Sequence, residues 1–573
     1  MITAAAALTG QLESYGVEYV FGTCGHTNIA LLDALGRSSI EFVIARHEQA
    51  AAHAADGYAR ASGKPGVVLL HVGPGMMNAV TGVATAAMDS VPLIAIAGDI
   101  PSYYHGRHPH QEVNLHHDAD QTAIYRPFVK RAWHVHRVED LPRFTERAFT
   151  TAVSGRPGAV LLSVPMDLFN RPQAGKVHPL PGELTKPDLP EETAEKIAAA
   201  LATAERPLIY VGGGLSAGPG RDALIRLVEH LDLPVAHSLM AKGSLPDDHP
   251  LVMGMPGFWG LEQTNTYARE ADVVLAIATR FAETDASSWD DRYTWSFPPT
   301  RLIQIDIDPA ELGRNYPVEI GAVADAALAV RRIADAALAH PGKARPALRE
   351  SITAARTALF DASAERGRSD DFPLRPERIL RDVRETLPAD TVLVTDVGWN
   401  KNGVAQAYPL PVEGRFITPG GASTMGFGPA AALGVQIAWP DRPVVALIGD
   451  GGMSAQLPAL PMAVERGLPV LFVVMNNRAH GTIADLQAAN FGVSYGCEFT
   501  DAEGNPYSPD FAALGEACGA DGYRVEEPGD LRKALRTALE RRRPAVIDVP
   551  MVNEPVPTPG HWNIKDIYAG IFE

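Results

Sequence analysis

The chain has 573 residues, a formal net charge of −18, and 46% hydrophobic and 21% charged residues. This length predicts three or four domains of ordinary globular composition, and the acidic charge argues against nucleic acid or an anionic membrane surface as a partner. No long apolar run or secretory signal is evident, and Cys24, Cys497 and Cys518 are too few and scattered for a disulfide framework or zinc site, so we expect a cytoplasmic protein.

Short apolar runs alternate with helical patterns in three segments of the chain. Residues 1–170 form the first segment, which a Pro-rich linker at 171–189 separates from the second, at 190–340. A charged stretch at 341–373, which we expect to be less ordered, leads into the third segment, at 374–552. The alternation predicts an α/β fold of three doubly wound domains with mainly parallel sheets.

In the first segment, Glu48 follows the apolar strand 42–44 and begins an alanine-rich helix at 50–61. A glutamate in the first turn of a helix is favoured by the helix dipole alone. Further along the chain, an apolar run at 67–70 is followed by His71-Val72-Gly73-Pro74-Gly75 and then by Asn78. These polar and glycine positions follow strands, which makes them candidates for a binding site.

The second segment contains glycines and charged residues that follow strands. Gly212-Gly213-Gly214 follows one strand, Arg280-Phe281 another, and Asp306-Ile307-Asp308-Pro309 a third. Glycine-rich turns after strands are typical of nucleotide-binding folds, but they also occur where no nucleotide binds.

The third segment contains a candidate metal site. One apolar strand, at 444–448, ends at Gly449-Asp450-Gly451, and the next ends at Asn476-Asn477. The Asp450 carboxylate, the Asn477 amide oxygen and the Ala479 carbonyl can supply three hard oxygen ligands to Mg²⁺. Main-chain N–H groups of Gly451 and Gly452 can approach phosphate oxygens, so an anionic ligand is expected here.

Taken together, these motifs resemble the thiamine diphosphate (ThDP) enzyme family. The GDG and NN motifs at this spacing resemble its diphosphate-binding signature, and the region from Glu48 to Asn78 resembles its pyrimidine-binding half. Gly420 to Gly428 resembles the segment that holds the bent cofactor. The resemblance spans nearly the whole chain and is closest to the branch that holds acetolactate synthase, benzoylformate decarboxylase and benzaldehyde lyase.

The resemblance implies a role for each motif. Glu48 would be the acid that activates the cofactor, Met425 the wedge between its two rings, and the Ser423 carbonyl the partner of its amino group. Further cofactor contacts are implied for the following residues: Asn78, Gly398, Trp399, Gly451, Gly452 and His480. Asp450, Asn477 and Ala479 would bind Mg²⁺.

The resemblance also implies the assembly. Each active site would lie between the first domain of one subunit and the third domain of another, in a homodimer or homotetramer. The second domain resembles the segment that binds non-redox FAD in acetolactate synthases, although the continuation after Arg280 departs from theirs. FAD is therefore a further candidate cofactor.

Several histidines are candidates for proton transfer beside the substrate. His26, His71 and His116 occupy positions where members of this branch carry active-site residues, and Cys24 replaces the usual proline near His26. His480 should face the substrate side of the cofactor, with Thr482 and Ile483 as candidate pocket walls. Imidazoles suit proton transfer near neutral pH, although each can also bond a loop carbonyl as a structural residue. The cluster of His105, His108, His110, His116 and His117 indicates a polar loop rather than a metal site.

The resemblance predicts an acetolactate-synthase-like enzyme that acts on a 2-keto acid or related acyl donor, a small carbonyl compound, through an enamine intermediate. One alternative is a non-ligating lyase, either a benzoylformate-type decarboxylase or a hydrolase of cyclic 1,2-diones. Another is a non-catalytic regulatory homologue, against which Glu48, Asp450 and Asn477 argue. The apolar tail at 553–573 is a candidate lid.

Overall fold

A computed structural model describes residues 2–113, 120–173, 175, 177–215 and 220–554. The first domain contains these elements: β1 Ile2–Thr3, α1 Ala4–Ser14, β2 Tyr19–Gly22, α2 Ile29–Leu35, β3 Glu41–Ile44, α3 Glu48–Ser62, β4 Gly66–Leu70, α4 Pro74–Met88, β5 Leu93–Asp99, β6 Arg131–His134, α5 Leu141–Val153, β7 Ala159–Pro165, α6 Met166–Phe169 and β8 Pro172–Gln173.

The second domain and the connection that follows it contain these elements: α7 Glu191–Thr203, β9 Pro207–Val211, α8 Arg221–Leu231, β10 Val235–His237, β11 Val252–Gly254, α9 Glu262–Glu270, β12 Val273–Ile277, β13 Arg301–Asp306, β14 Ile320–Val323, α10 Ala326–Ala337 and α11 Pro346–Gly367.

The third domain contains these elements: α12 Pro376–Thr386, β15 Val392–Thr395, α13 Trp399–Ala407, β16 Arg415–Ile417, α14 Phe427–Ala438, β17 Val444–Gly449, α15 Asp450–Ala455, α16 Ala459–Glu465, β18 Val470–Asn476, α17 Gly481–Phe491, α18 Phe511–Ala517, β19 Asp521–Arg524, α19 Asp530–Arg541 and β20 Ala545–Pro550. No helix within the described ranges is long and apolar enough to cross a membrane.

Three six-stranded parallel sheets confirm the predicted α/β fold. The first sheet has the strand order β3-β2-β4-β5-β7-β6, and the third has the order β16-β15-β17-β18-β20-β19. When the strands of each sheet are counted along the chain, the two orders are the same. The second runs β11-β10-β9-β12-β13-β14, the strand order of the dinucleotide-binding fold. In such sheets, ligands bind beyond the carboxyl ends of the strands where the order reverses. This point lies between β2 and β4 in the first sheet and between β15 and β17 in the third.

The first and third domains of one chain pack together through α3 and α14. A Cβ on Gly434 would lie 1.8 Å from the Ala54 carbonyl oxygen, and one on Gly57 would lie 2.1 Å from that of Ala431. Glycine at these positions lets the two helix backbones approach closely. The contact fixes α3, whose first residue is Glu48, against the third domain.

The prediction of a less ordered stretch at 341–373 is wrong. Residues Pro346–Gly367 form α11, a helix of 22 residues of which only Ile352 and Gly367 are buried. Its Ala, Arg, Glu and Leu content favours helix, but almost none of it enters a core, so the apolar periodicity that marks a helix is weak.

Candidate active site

Glu48 lies beyond the carboxyl ends of the first sheet's strands. Thr23, directly after β2, donates a hydrogen bond from Oγ1 to Glu48 Oε1 (2.8 Å), and Asn78 of α4 donates from Nδ2 to Oε2 (2.9 Å). A Cβ on Gly75 would be 3.2 Å from Glu48 Oε1, so glycine there leaves room for the carboxyl group. Each carboxyl oxygen keeps a further lone pair for a ligand. The sequence analysis identified Glu48 and Asn78 but not Thr23.

His71 and His26 form a pair beside Glu48. Their rings meet edge to face with centroids 4.7 Å apart, and His71 packs in the space left by Gly25. His71 Nδ1 lies 2.8 Å from Thr27 Oγ1, and Nε2 lies 2.8 Å from Gln111 Oε1. Because Gln111 Oε1 accepts, the His71 proton belongs on Nε2, and Thr27 donates to Nδ1.

His26 is more accessible than His71. Burial lowers its pKa, and the nearby rings of His71 and His110 lower it further. A neutral imidazole at this position can accept a proton. His116 lies outside the described residues, as does His117.

The third domain supplies a glycine cradle. A Cβ on Gly451 would be 3.0 Å from Met425 Cε and 3.1 Å from His480 Cε1, so the glycine loop, the predicted wedge and the predicted histidine are neighbours. A Cβ on Gly452 would be 2.0 Å from Asp396 Oδ2. A Cβ would collide with Asp396 at Gly452 and would crowd two side-chain ends at Gly451, so both glycines keep main-chain N–H groups accessible to a ligand.

Asp450, Asn477 and Ala479 bring three oxygen atoms together. The Asn477 amide donates from Nδ2 to Asn553 Oδ1 (3.0 Å), which leaves Asn477 Oδ1 3.0 Å from both Asp450 Oδ1 and the Ala479 carbonyl oxygen. Rotating the amide would instead place its oxygen 3.0 Å from Asn553 Oδ1. Neighbouring ligands in an Mg²⁺ octahedron with bonds of about 2.1 Å lie about 3.0 Å apart. The triangle therefore has the dimensions that Mg²⁺ requires.

The Asp450 carboxylate is costly to bury without a cation. The residue is 2% exposed, and its Oδ2 accepts no hydrogen bond from a described residue. Burial raises the pKa of Asp450 to about 6, although nearby main-chain N–H groups oppose the rise. An unpaired buried oxygen at a strand end indicates a ligand site. Among the described residues, no group of three His, Cys, Asp or Glu side chains is placed to bind a metal ion, so a cation here would also need the amide oxygen of Asn477 and the carbonyl oxygen of Ala479.

Asp396 is a second buried carboxylate of the site, which the sequence analysis missed. It follows β15 as Asp450 follows β17, so the same signal, a polar residue at a strand end, was present. It accepts hydrogen bonds from the N–H groups of Gly428 (2.9 Å) and Gly426 (3.2 Å), and burial raises its pKa to about 6. It thereby anchors the segment that carries Met425.

A cavity of about 560 Å³ joins these parts of the third domain. Its walls include the predicted residues Gly398, Trp399, Ser423, Met425, Asp450, Gly451, Gly452, Asn477, Ala479 and His480, together with Thr482 and Ile483. Lys401 also lines it and was not predicted. None of the described lining residues comes from the first domain, so Glu48, His26, His71 and Asn78 do not share this cavity within one chain.

The loop predicted to bind FAD is closely packed. A Cβ on Gly212 would be 2.0 Å from the Ala278 carbonyl oxygen, and one on Gly214 would be 2.7 Å from Ala278 Cβ. Close backbone approach between the strand ends is sufficient reason for these glycines. FAD binding stays a prediction.

Comparison with known families agrees with this division of the chain. Residues 2–124 match the N-terminal TPP binding domain of thiamine pyrophosphate (ThDP) enzymes, residues 194–333 their central domain, and residues 396–549 their C-terminal TPP binding domain.

Individual relatives match over almost their whole length. A probable acetolactate synthase large subunit of Methanocaldococcus jannaschii is 34% identical over 557 residues, which cover 95% of this chain and 91% of the relative. The acetolactate synthase isozyme 3 large subunit of Escherichia coli is 34% identical over 562 residues, which cover 95% and 93%.

Proposed function

Because the chain belongs to the thiamine pyrophosphate enzyme family, in its acetolactate synthase branch, we propose that it is a ThDP- and Mg²⁺-dependent carboligase. The donor would be a 2-keto acid or a related acyl compound, and the acceptor a second carbonyl compound. The observation that carries the proposal is the triangle of oxygens at Asp450, Asn477 and Ala479 beside the Gly451–Gly452 cradle. The oxygens suit a magnesium ion, and the main-chain N–H groups beside them suit a diphosphate.

When bound, ThDP supplies a carbon nucleophile that adds to a carbonyl group and accepts the electron pair of the bond that then breaks. Glu48 would hold a proton at the pyrimidine ring, where Thr23 and Asn78 fix the orientation of its carboxyl group. Met425 and His480 would line the side of the cradle that faces the reacting atoms. The residues of the protein would thus bind and orient the cofactor and transfer protons, and the bond chemistry would come from the cofactor.

Assembly of two copies would complete the site. Glu48 and the Asp450 cavity belong to different domains and share no cavity within one chain. We infer that the first domain of a partner subunit covers the cavity and brings its own Glu48, Asn78, His26 and His71 to the cofactor. The exposed side chains of Met425 and Ile483 at the cavity agree with such a cover.

A non-ligating lyase is the second candidate, and the His26–His71 pair favours it. Two neighbouring imidazoles can deliver a proton to a carbanion before a second carbonyl compound arrives. A benzoylformate-type decarboxylase and a hydrolase of cyclic 1,2-diones would both use such a pair.

Product identification separates these candidates. Purified protein with ThDP and Mg²⁺ would be incubated with pyruvate, benzoylformate or a cyclic 1,2-dione, and the products identified by mass. Carbon dioxide with a ligated hydroxyketone supports the carboligase. Free aldehyde alone identifies a decarboxylase, and ring opening of the dione identifies the hydrolase. A Glu48→Gln variant that turns over as fast as the unmodified protein would refute all three.

A further inference from the structure

The turn at residues 420–424, which precedes Met425, contains a serine in a conformation that favours glycine. Ser423 has φ +44°, in the left-handed region where a side chain is strained. Its Oγ donates to the Gly420 carbonyl oxygen (3.1 Å), and its N–H donates to the same oxygen (3.3 Å). These contacts close the turn but do not by themselves explain why the chain carries a serine here.

Lys401 supplies the missing contact. Its side chain extends from the first turn of α13 and donates from Nζ to Ser423 Oγ (2.9 Å), although the residue is only 8% exposed. Burial lowers the pKa of Lys401, and the neighbouring carboxylates of Asp89, Asp396 and Asp285 oppose the decrease. A buried ammonium is costly, so this contact should have a function that a neutral side chain could not serve.

The neighbouring carboxylates are engaged elsewhere. Asp89 forms an ion pair with Arg60 (2.8 Å) and accepts from the N–H groups of Gly420 and Gly421 (2.8 Å each). Asp396 accepts from the start of α14, and Asp285 from the hydroxyl of Tyr210 (3.0 Å). The described hydrogen bond of the Lys401 ammonium goes to Ser423 rather than to any of these three carboxylates.

The turn is therefore held from two sides. The end of α4 in the first domain holds it through Asp89 and through a hydroxyl contact between Thr85 and Thr424 (2.7 Å). Lys401 holds it from the third domain. Ser423 and Lys401 both line the cavity, so these contacts act on its wall.

We propose that Lys401 is a positioning residue that keeps Ser423 in its left-handed conformation and so directs the Ser423 carbonyl at the amino group of the cofactor's pyrimidine ring. The inference rests on the proposed function, because it requires that the cavity binds ThDP. Without the ammonium, Ser423 relaxes toward negative φ and only a small fraction of molecules keeps the carbonyl in place. Left-handed placement of a non-glycine residue disfavours that state by about tenfold, so cofactor affinity should fall by about the same factor.

The test measures dissociation constants by titration calorimetry in the presence of Mg²⁺, with two ligands. One is ThDP, and the other is a ThDP analogue that lacks the amino group on the pyrimidine ring. Lys401→Met should weaken ThDP binding about tenfold and leave binding of the analogue nearly unchanged, because the analogue makes no use of the Ser423 carbonyl. Lys401→Arg, which keeps a cationic donor, should recover most of the affinity.

A double-mutant cycle separates positioning from general damage to the pocket. Glycine adopts positive φ without strain, so Lys401→Met in a Ser423→Gly background should weaken ThDP binding less than about twofold relative to Ser423→Gly alone. Ser423→Ala removes the hydroxyl but keeps the strain, and should weaken ThDP binding as Lys401→Met does. It serves as the second variant if Lys401→Met fails to fold.

Equal weakening of both ligands, or an undiminished effect in the Ser423→Gly background, would show that Lys401 merely supports the pocket and would overturn the inference. Unchanged ThDP affinity in Lys401→Met would overturn it as well. If the unmodified protein takes up neither ligand, the proposed function fails first and the inference falls with it.

Discussion

Replacing Asp450 by asparagine should stabilise the cofactor-free protein while it abolishes the response to Mg²⁺ and ThDP. In the absence of a cation, the Asn477 amide can rotate to place its nitrogen 3.0 Å from Asp450 Oδ1, but Asp450 Oδ2 still has no described partner. The side chain of the Asp450→Asn variant is neutral, and its amide can pair with that of Asn477. The change therefore removes a buried negative charge that lacks a full set of partners.

The magnitude follows from the pKa of Asp450. A value raised from 3.8 to about 6 corresponds to about 3 kcal/mol of unfavourable free energy for the ionised group in the folded state. The folded pKa lies above the unfolded one, so this cost is absent below pH 3.8, grows as the pH rises, and is complete above about pH 6. At pH 8 we expect Asp450→Asn to stabilise the third domain by about 1–3 kcal/mol, since local relaxation recovers part of the cost. For a domain of this size, each kcal/mol of stabilisation raises the Tm by roughly 2–4 °C.

Asp396→Asn is the matched control in the same calorimetric scans. Burial also raises the pKa of Asp396 to about 6, but its oxygens accept hydrogen bonds from Gly426 and Gly428, which an amide NH₂ cannot do. The free energy of unfolding of this variant should fall by about 1–3 kcal/mol, with or without cofactor. Added Mg²⁺ and ThDP should raise the Tm of the unmodified protein and leave that of Asp450→Asn unchanged. A lower Tm for cofactor-free Asp450→Asn, or a retained response to Mg²⁺, would refute the reasoning.

Three further predictions concern catalysis and packing. Glu48→Gln should still bind the cofactor, as measured by calorimetry, but its kcat should fall about 10²–10⁴-fold. Glu41→Gln, on the adjacent strand, should keep both cofactor binding and kcat. An active Glu48→Gln variant would contradict the assigned role. Because the pKa of His26 is lowered by burial and by neighbouring histidines, neutral His26 persists below pH 6.5, and the acid limb of the rate profile should lie there and vanish in His26→Gln. A limb that survives the substitution belongs to another group. Gly434→Ala places a Cβ 1.8 Å from the Ala54 carbonyl and should destabilise the protein by roughly 1–3 kcal/mol in denaturant titrations, which an unchanged midpoint would contradict.

The fold and the grouping of Asp450, Asn477 and Ala479 could be predicted because their signals are local. Apolar runs bounded by glycine and polar residues predicted the strands, and parallel strands bring their carboxyl ends to one edge of a sheet. Asp450 and Asn477 follow adjacent strands, β17 and β18, so their approach required only that these strands pair. The proximity of the three oxygens could be predicted from the sequence for this reason.

Other parts of the site depend on contacts between distant segments. Lys401 contacts Ser423, 22 residues further along the chain, only because α13 and the 420–424 turn meet in the folded third domain. Gln111 contacts His71 across 40 residues through a loop whose path no periodicity predicts. The helix at 346–367 was missed although its own composition favours helix. Almost none of it is buried, so it lacks the apolar periodicity that marks a helix in the sequence.

The chain contains several buried carboxyl groups, so burial alone does not identify the functional one. Burial raises the pKa of Asp99, Asp285, Asp396 and Asp450 to about 6 in each case. Asp99 accepts from Ser163 and from the N–H of Ile100, Asp285 from Tyr210, and Asp396 from two glycine N–H groups. Of the four, only Asp450 has a buried oxygen without a described partner. Hydrogen bonds already satisfy the carboxyl oxygens of Asp99, Asp285 and Asp396, so a bound cation would add little stabilisation there. At Asp450 the ligand itself must satisfy the unpartnered oxygen.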